Sequence, residues 1–345
     1  METSLSIAYD PNLKPGYIIL KEREIFCFIK NERFHKSDGL ATIITKPRTQ
    51  STHQSGQANN SQNVAILIHG HLSHKNAIYQ PLLAEMLSNL GYLVIRFDFR
   101  NQGDSEDNRD KSVGRTIFQD LEDLETVIKC VTNKDTKKFT DIFGENKLSL
   151  EMIIAHSRGV LPMFSYFSSL GKKIAVPTLI NCCGRFSSDG LLRRYTKMYP
   201  NWEKEKGFWT KTFRYGKYTK HWVPYDEIIS AGCFSNKQFK NISTITNVVH
   251  IYGTRDDVIP LKDAEDYHEL FKPNSFIYLI SGADHNFYGL TDDDNEFKLP
   301  SKRGKVNYSY YLVALLSLAS KNNSFKDIEE AETKAALSDI TKLLS

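Results

Sequence analysis

The sequence is short of cysteine, of net charge and of long apolar runs, and each shortage excludes a class of protein. Its 345 residues contain five cysteines, which are odd in number and scattered and therefore indicate free thiols in a reducing compartment. No stretch has the ~18 apolar residues of a membrane-spanning helix, and residues 1–15 lack the basic and apolar regions of a signal peptide. A formal net charge of +4 is too small to indicate nucleic-acid binding. We expect a cytoplasmic protein without a nucleic-acid partner.

Short apolar runs alternate with helical patterns from residue 64 onward. Residues 64–68 are wholly apolar, as buried parallel strands are, and further strand patterns follow at 92–97, 148–154, 176–182, 247–252 and 275–280. Apolar residues at helical spacing lie at 76–90, 112–132, 159–170, 261–271 and 308–320. Three β-rich runs, 16–21, 23–30 and 39–46, precede this region and predict an antiparallel start. The alternation predicts an α/β fold whose mostly parallel sheet has helices on both faces.

Residues 186–246 interrupt this alternation and contain no clear strand pattern. From Arg193 to Trp222 they hold nine Lys or Arg, two Glu and all three tryptophans. We interpret 186–246 as an inserted helical cap on a core of 1–185 and 247–320, with a flexible loop at 47–63 and a C-terminal helical extension at 321–345. The basic, aromatic cap is compatible with an anionic substrate or with a weak contact with an anionic membrane surface. Aromatics packed on the core with lysines in solvent explain its composition more simply.

The strongest local signal is Ala155-His-Ser-Arg-Gly159, between an apolar strand pattern and an apolar helix pattern. A nucleophile elbow turns so sharply that only small residues fit two positions before and two after the serine. A serine near a helix N-cap, followed by a chance glycine, is the simpler alternative. The strand–turn–helix context favours the elbow, so Ser157 is the candidate nucleophile.

A serine nucleophile needs a general base, and that base needs an acid to orient it. After the strand pattern at 247–252 comes Asp256, and after that at 275–280 comes His285. Both follow the carboxyl ends of strands, where open α/β sheets gather catalytic groups. We assign His285 as the base and Asp256 as the acid. Asp257 is the nearest competitor for the acid, and Asp189 is a more distant one.

The first parallel strand ends in His69-Gly-His71, whose backbone suits an oxyanion hole. In this arrangement the amides of His71 and Arg158 would bind the tetrahedral oxyanion. The stretch from His69 to His74 also has the His-x-His-x-x-His spacing of metallo-β-lactamase-like hydrolases. Ser73 stands where that family has aspartate, and no further ligands follow at plausible places. We therefore predict no metal.

Five segments together resemble the α/β-hydrolase superfamily, and within it the feruloyl/cinnamoyl-esterase and monoacylglycerol-lipase-like branch. The segments are Leu67–Gly70, Arg96–Ser105, Ala155–Gly159, Gly253–Pro260 and Gly282–Phe287. The resemblance implies carboxylic-ester hydrolysis without metal or organic cofactor. The chain departs from the pattern at Ala155, where glycine is common, at Asn101-Gln102, where the branch has Gly-His, and throughout the cap.

Ester hydrolysis by an acyl-enzyme is the function that these residues favour, whether the protein is an esterase, a lipase or a thioesterase. The expected partner is a small-molecule ester with an apolar acyl or aryl group. An acyltransferase would use the same three side chains and pass the acyl group to an alcohol. A non-catalytic binding protein on this fold is a third hypothesis, and it predicts a broken triad, whereas the sequence has all three members.

Overall fold

The chain is described here from a computed structural model. The structure describes residues 4–10, 12, 15–48, 61–108, 110, 112–132, 140–144, 147–170, 176–242, 246–289, 306–309, 312, 315, 316 and 319. Residues 49–60 of the predicted loop and the predicted extension at 321–345 lie outside this set, and residues 61–63 begin a strand instead of ending a loop. Among the described residues, no helix combines the length and apolar character needed to cross a membrane.

One mixed sheet organises the core. In chain order the strands are β1 (Leu5–Ala8), β2 (Glu24–Asn31), β3 (Leu40–Thr45), β4 (Ser61–Ile68), β5 (Leu93–Phe97), β6 (Lys147–His156), β7 (Thr178–Cys182), β8 (Gly207–Arg214), β9 (Lys217–Pro224), β10 (Asn247–Gly253), β11 (Ser275–Ile280), β12 (Tyr288–Gly289) and β13 (Val306–Asn307). Nine of them pair in the order β1-β2-β3-β5-β4-β6-β7-β10-β11. The pairs from β1 to β5 are antiparallel, and those from β5 to β11 are parallel.

The antiparallel start differs from its prediction in one strand. The run at 16–21 is not a strand, because the carbonyl of Pro15 accepts a hydrogen bond from the Ile18 amide (2.9 Å) and closes a turn there. The edge position beside β2 is occupied by β1 instead. Ile18 is still buried, in a small cluster with Phe26 and Ile43. Its apolar side chain therefore reflects packing beneath a turn.

Helices cover both faces of the parallel strands. They are α1 (Gln80–Asn89), α2 (Ile117–Thr132), α3 (Thr140–Phe143), α4 (Val160–Leu170), α5 (Asp189–Met198), α6 (Trp202–Glu205), α7 (Tyr225–Gly232) and α8 (Lys262–Phe271). Because side chains alternate along a strand, Ile66 of β4 packs with Leu124 of α2 and Phe164 of α4, whereas Leu67 packs with Leu83 of α1. Described positions of the predicted helix at 308–320 join this second face: Tyr308, Leu312, Leu315, Leu316 and Ala319.

The segment 186–246 is mixed, and the expectation of a wholly helical cap is wrong. It contains α5, α6, α7 and an antiparallel hairpin of β8 and β9. Tyr215 and Gly216 turn the hairpin with φ of 48° and 80°, as a two-residue turn of this hand requires. Trp209 lies directly opposite Trp222 across the two strands, with their ring centroids 5.2 Å apart. The boundaries of a separate cap stay a prediction.

Candidate active site

Ser157 lies on the sharp turn between β6 and α4. Its φ of 52° is in the left-handed region, where the backbone of a residue with a side chain is strained. A Cβ on Gly159 would lie 2.7 Å from the carbonyl oxygen of His69, so only glycine fits there. Ala155 is fully buried in β6, where a small side chain is accommodated. Strand, strained serine and helix have the geometry of a nucleophile elbow.

The structure brings the three predicted side chains together as one hydrogen-bonded chain. His285 lies just after β11, and its Nε2 is 3.0 Å from the Ser157 hydroxyl. Its Nδ1 is 2.8 Å from Oδ2 of Asp256, which follows β10. With Nδ1–H donating to the carboxylate, Nε2 is left as the acceptor for the serine proton. This tautomer is the one that a general base requires.

Asp256 is held as a carboxylate by its surroundings. Its other oxygen, Oδ1, accepts hydrogen bonds from the amides of Val258 and Ile259, each 2.8 Å long. Burial raises the pKa of Asp256, but the hydrogen bond from His285 and these two amides outweigh it, so the net pKa is lowered. The neighbouring Asp257 is exposed. The structure thus places Asp256, and not Asp257, against the histidine.

His156, just before the serine, anchors the loop that carries His285. Its Nε2 donates to the backbone carbonyl of His285 over 2.9 Å. Burial lowers the pKa of His156 to about 3, and the charge of His285 acts in the same direction. The side chain is therefore neutral at physiological pH and serves as a fixed hydrogen-bond donor.

The three histidines of the metal-like spacing are engaged separately. Burial lowers the pKa of His69 to about 3, and its Nε2 accepts a backbone amide hydrogen bond of 3.1 Å. His74 stacks on Phe213 with ring centroids 4.7 Å apart, whereas Nε2 of His71 lies 3.5 Å from the Tyr195 hydroxyl. Within the described ranges they do not form a group of potential metal ligands.

One group of possible metal-ligating atoms does occur, at Cys183, Asp256 and His285. The Cys183 sulfur, a carboxylate oxygen and a ring nitrogen lie within 4.8 Å of one another. Both nitrogens of His285 already have partners, in Asp256 and in Ser157. Burial raises the pKa of the Cys183 thiol well above its ordinary value, so the thiolate that metals bind is disfavoured. The donor set fits the hydrogen-bonded chain better than a metal.

The loop after β4 lies against the nucleophile, where the oxyanion hole was predicted. A Cβ on Gly70 would be 3.1 Å from the Cβ of Ser157 and 3.2 Å from Nδ1 of His156. A side chain at this position would make tight contacts, so glycine favours the close approach of this loop to the serine. The assignment of the His71 and Arg158 amides as oxyanion donors is consistent with this approach and stays a prediction.

A buried network of four charged side chains supports the elbow. Arg158, next to the serine, donates from Nε to Asp120 of α2 (3.1 Å) and from Nη1 to Glu227 of α7 (3.4 Å). Arg115 donates from Nε to Asp120, and its backbone amide donates to Glu227 over 2.8 Å. Two guanidinium groups therefore face two carboxylates, all of them buried. The network joins α2, the elbow and α7 of the inserted segment.

The same network reaches the loop after β4. Arg115 donates from Nη1 to the carbonyl of Gly70 over 3.3 Å. Nδ1 of His71 lies 3.8 Å from Glu227. Burial lowers the pKa of His71 well below its usual range, and the charges of Arg158 and Arg115 lower it further. The His71 ring is therefore neutral. Arg115, Asp120 and Glu227 could not be identified from the sequence, because no spacing pattern indicates that residues so far apart form pairs.

Glu227→Gln is expected to lower the free energy of unfolding by about 3 kcal/mol, because it leaves the buried Arg158 with too little negative charge. Urea unfolding measures this difference. Glu122→Gln is the matched control, because Glu122 also pairs with an arginine, over 2.6 Å, but its side chain is 37% exposed. The control should lose less than about 1 kcal/mol. Equal losses in the two variants would show that burial of the network adds nothing to the free energy of unfolding.

The segment Arg96–Ser105, part of the family resemblance, braces the loop after β4. Lys75 of that loop is buried, and its Nζ lies 2.5 Å from both Asp98 and Asp104. Asp98 also accepts the Lys75 amide over 2.6 Å. A Cβ on Gly103 would lie 2.0 Å from the Asp98 carboxylate, so the turn requires glycine, at a φ of +50°. The motif thus has a structural role beside the serine.

A cavity of about 990 Å³ opens above the serine, between the core and the inserted segment. Ser157 and His285 lie in its wall, and α5, β8 and β9 supply much of the remainder. Its apolar lining includes Leu161, Leu191, Met198, Tyr199, Phe208 and Phe213. The hairpin exposes Trp209 and Tyr218 to solvent. The weak membrane contact expected from this basic, aromatic segment stays a prediction.

Comparisons with known proteins agree with this architecture. No protein-family model matches the chain. Palmitoyl-protein thioesterase ABHD10, mitochondrial, of Mus musculus is 24% identical over 233 residues, 66% of this chain and 70% of that protein. The ferulic acid complex of Est1E from Butyrivibrio proteoclasticus superposes with a TM-score of 0.52 at 16% identity, covering 84% of this chain and 96% of Est1E. Mouse α/β-hydrolase domain-containing protein 10 gives 0.52 at 18% identity, covering 84% and 98%.

A nearer relative establishes the family. The uncharacterized protein YDL057W of Saccharomyces cerevisiae is 38% identical over 309 residues, which cover 88% of this chain and 94% of YDL057W. The structural neighbours share the mostly parallel sheet and its covering helices, so the fold class predicted from the sequence is confirmed. The chain has the α/β-hydrolase fold and belongs to the same protein family as YDL057W.

Proposed function

We propose that the protein is a serine hydrolase that cleaves carboxylic esters, thioesters included, through an acyl-enzyme. The observation that carries the proposal is the hydrogen-bonded chain from Ser157 through His285 to Asp256, at 3.0 and 2.8 Å. A serine held at the end of a strand, with its base and acid in hydrogen-bond reach, is the arrangement that activates a weak nucleophile.

In the first step Nε2 of His285 takes the Ser157 proton while the hydroxyl oxygen attacks the carbonyl carbon. The carbonyl oxygen becomes an oxyanion, which the amides of His71 and Arg158 bind. One such donor typically contributes about 3 kcal/mol of transition-state stabilisation. Asp256 stabilises the imidazolium that forms, because its carboxylate already accepts the Nδ1 proton.

In the second step the C–O or C–S bond to the leaving group breaks, and His285 returns its proton to the departing oxygen or sulfur. The acyl group is left on Ser157. Water then enters, His285 takes its proton, and the new hydroxyl attacks the acyl carbonyl. Collapse of this second intermediate releases the acid and restores the serine, so the cycle needs no metal or organic cofactor.

The proposed substrate is a small-molecule ester with an apolar acyl or aryl group. The cavity above Ser157 supports this choice, since aromatic and aliphatic side chains from the core and the insert line it. The relative ABHD10 carries the name of a palmitoyl-protein thioesterase, which implies an apolar acyl chain in that protein. Burial of each methylene contributes about 0.8 kcal/mol where the pocket is dry.

A series of p-nitrophenyl esters, from acetate to palmitate, tests the proposal. We expect kcat/KM to rise with acyl length by up to about fourfold per methylene and then to fall, because a cavity of finite size fills. Flat rates along the series would contradict a shaped acyl pocket. Absence of turnover for every ester and thioester would contradict the proposed function. Product analysis with added glycerol decides between hydrolysis and acyl transfer.

A further inference from the structure

Two of the charged side chains in the cavity wall are arginines outside the buried ion network. The charged residues that line the cavity, histidines aside, are Arg158, Arg185, Arg194 and Asp284. Arg158 is neutralised by the buried acids described above. Within the part of the chain that the structure describes, neither Arg185 nor Arg194 forms an ion pair with a carboxylate. A cavity wall with two arginines that form no ion pair favours an anionic ligand.

Arg185 is fixed beside the loop that carries the acid of the site. Its side chain is half-buried, and Nη2 donates to the carbonyl of Val258 over 2.8 Å. The amide of Val258 in turn donates to Asp256. Nη1 points toward the start of α5, 3.9 Å from where a Cβ on Gly190 would lie. The guanidinium is therefore held by the backbone and does not hang free in solvent.

Arg194, on α5, also lines the cavity. Burial lowers the pKa of the Arg185 guanidinium; Asp263 opposes this, and the positive charge of Arg194 lowers it further. Both guanidinium groups thus add positive charge to the wall of one cavity. Two like charges brought together at a pocket cost free energy unless an anion binds between them.

The remaining charged residue, Asp284, accepts hydrogen bonds from the backbone of its own loop. Its Oδ1 accepts hydrogen bonds from the amides of Asn286 and Tyr288, at 2.8 and 2.9 Å. The carboxylate therefore shapes the loop around His285. The cavity wall thus combines apolar side chains, from the insert and α4, with the two arginines.

We propose that Arg185 and Arg194 bind a negatively charged group, a carboxylate or a phosphate, carried by the ester that Ser157 attacks. Guanidinium groups present paired N–H donors whose spacing matches the two oxygens of a carboxylate or phosphate. The substrate class is therefore an ester with an apolar part and one anionic end. This inference rests on the proposed function, because the anion is placed relative to the reacting ester.

Matched esters that differ only in charge test the inference. One pair is mono-p-nitrophenyl adipate and its neutral methyl ester, which places the charge on the acyl side. The other pair is monohexanoylglycerol 3-phosphate and monohexanoylglycerol, which places it on the alcohol side. For each pair the readout is the ratio of kcat/KM for the anionic ester to that for the neutral ester, at low salt.

We expect the wild type to prefer the anionic member of at least one pair by about tenfold, the effect of one charge-assisted hydrogen bond. The preference should shrink as salt is added, because Arg194 is exposed. It should disappear in Arg185→Gln/Arg194→Gln and reverse in Arg194→Glu. Arg185→Lys, which keeps the charge, should retain part of the preference for the anionic ester. Lys197→Gln is the control, since Lys197 lies on α5 but not in the cavity wall.

Two results would overturn the inference: a wild type without anionic preference in either pair, or a preference that survives in the double variant. Both leave turnover of neutral esters by the wild type intact, so they are distinct from failure of the proposed function, in which no ester is cleaved. Which pair shows the preference identifies the acyl or the alcohol side as the source of the charge.

Discussion

Ser157→Ala should lose ester turnover by about a millionfold, the size of the effect when a triad enzyme loses its nucleophile. Without the hydroxyl, neither an acyl-enzyme nor a covalent adduct with a fluorophosphonate probe can form. The residual rate would come from water activated by His285 and from the oxyanion donors alone. The measurement is burst and steady-state release of p-nitrophenol, together with fluorescence of the labelled chain.

The variant should stay folded, which makes the loss interpretable. Alanine suits the small space of the elbow, and the one hydrogen bond removed, to His285, contributes about 1 kcal/mol. Ser281→Ala is the matched control, because Ser281 is an exposed serine just after β11. It should label and turn over like the wild type. Undiminished labelling of Ser157→Ala would contradict the assignment of Ser157 as the nucleophile.

The three central residues of the candidate site could be predicted from the sequence because the topology of the sheet largely determines where they lie. Parallel strands end at one edge of the sheet, so residues that follow β6, β10 and β11 must meet there. Only the order of Ser157, Asp256 and His285 and the small residues of the elbow had to be recognised. The structure adds the distances and separates Asp256 from Asp257.

The buried ion network could not be predicted, because no period or motif links its members. Arg158 and Glu227 are 69 positions apart, and Arg115 and Glu227 are 112 apart. In sequence, Asp120 is one acidic residue in a charged helix, and Glu227 follows the hairpin. Their pairing depends on how the inserted segment packs on the core, which is a tertiary property that local propensity does not encode.

The hairpin could not be predicted for a different reason, because polar and apolar residues do not match the buried and exposed positions of β8. In β8 the buried side includes Thr212 and Arg214, whereas Trp209 faces solvent. Arg214 is buried because it donates to the carbonyls of Gly103 and Ser105, at 3.1 and 2.9 Å. A buried arginine on one face of the strand and an exposed tryptophan on the other weaken the apolar–polar alternation on which strand prediction depends.

Asp256→Asn should lower kcat by about 10⁴-fold, because it moves the ring proton of His285 from Nδ1 to Nε2. The asparagine oxygen would keep accepting the amides of Val258 and Ile259, which turns the NH₂ group toward Nδ1 of His285. Nδ1 must then accept, so the ring proton moves to Nε2, where it can no longer receive the proton of Ser157. The readout is kcat for a p-nitrophenyl ester, with KM measured beside it, since binding of the ester should change little.

Asp257→Asn is the matched control, one residue away and exposed, and it should keep kcat within about twofold of the wild type. Asp189→Asn is the second control, because Asp189 is the other acid that the sequence offers for this role.

Acid unfolding gives an independent measure of the contribution of Asp256. A pKa lowered on folding means that Asp256 stabilises the fold above its ordinary pKa and loses this as pH falls through the folded value. Asp256→Asn should therefore weaken the acid dependence of stability, and Asp257→Asn should not. A large loss of kcat in Asp257→Asn, with Asp256→Asn active, would transfer the role of the acid to Asp257.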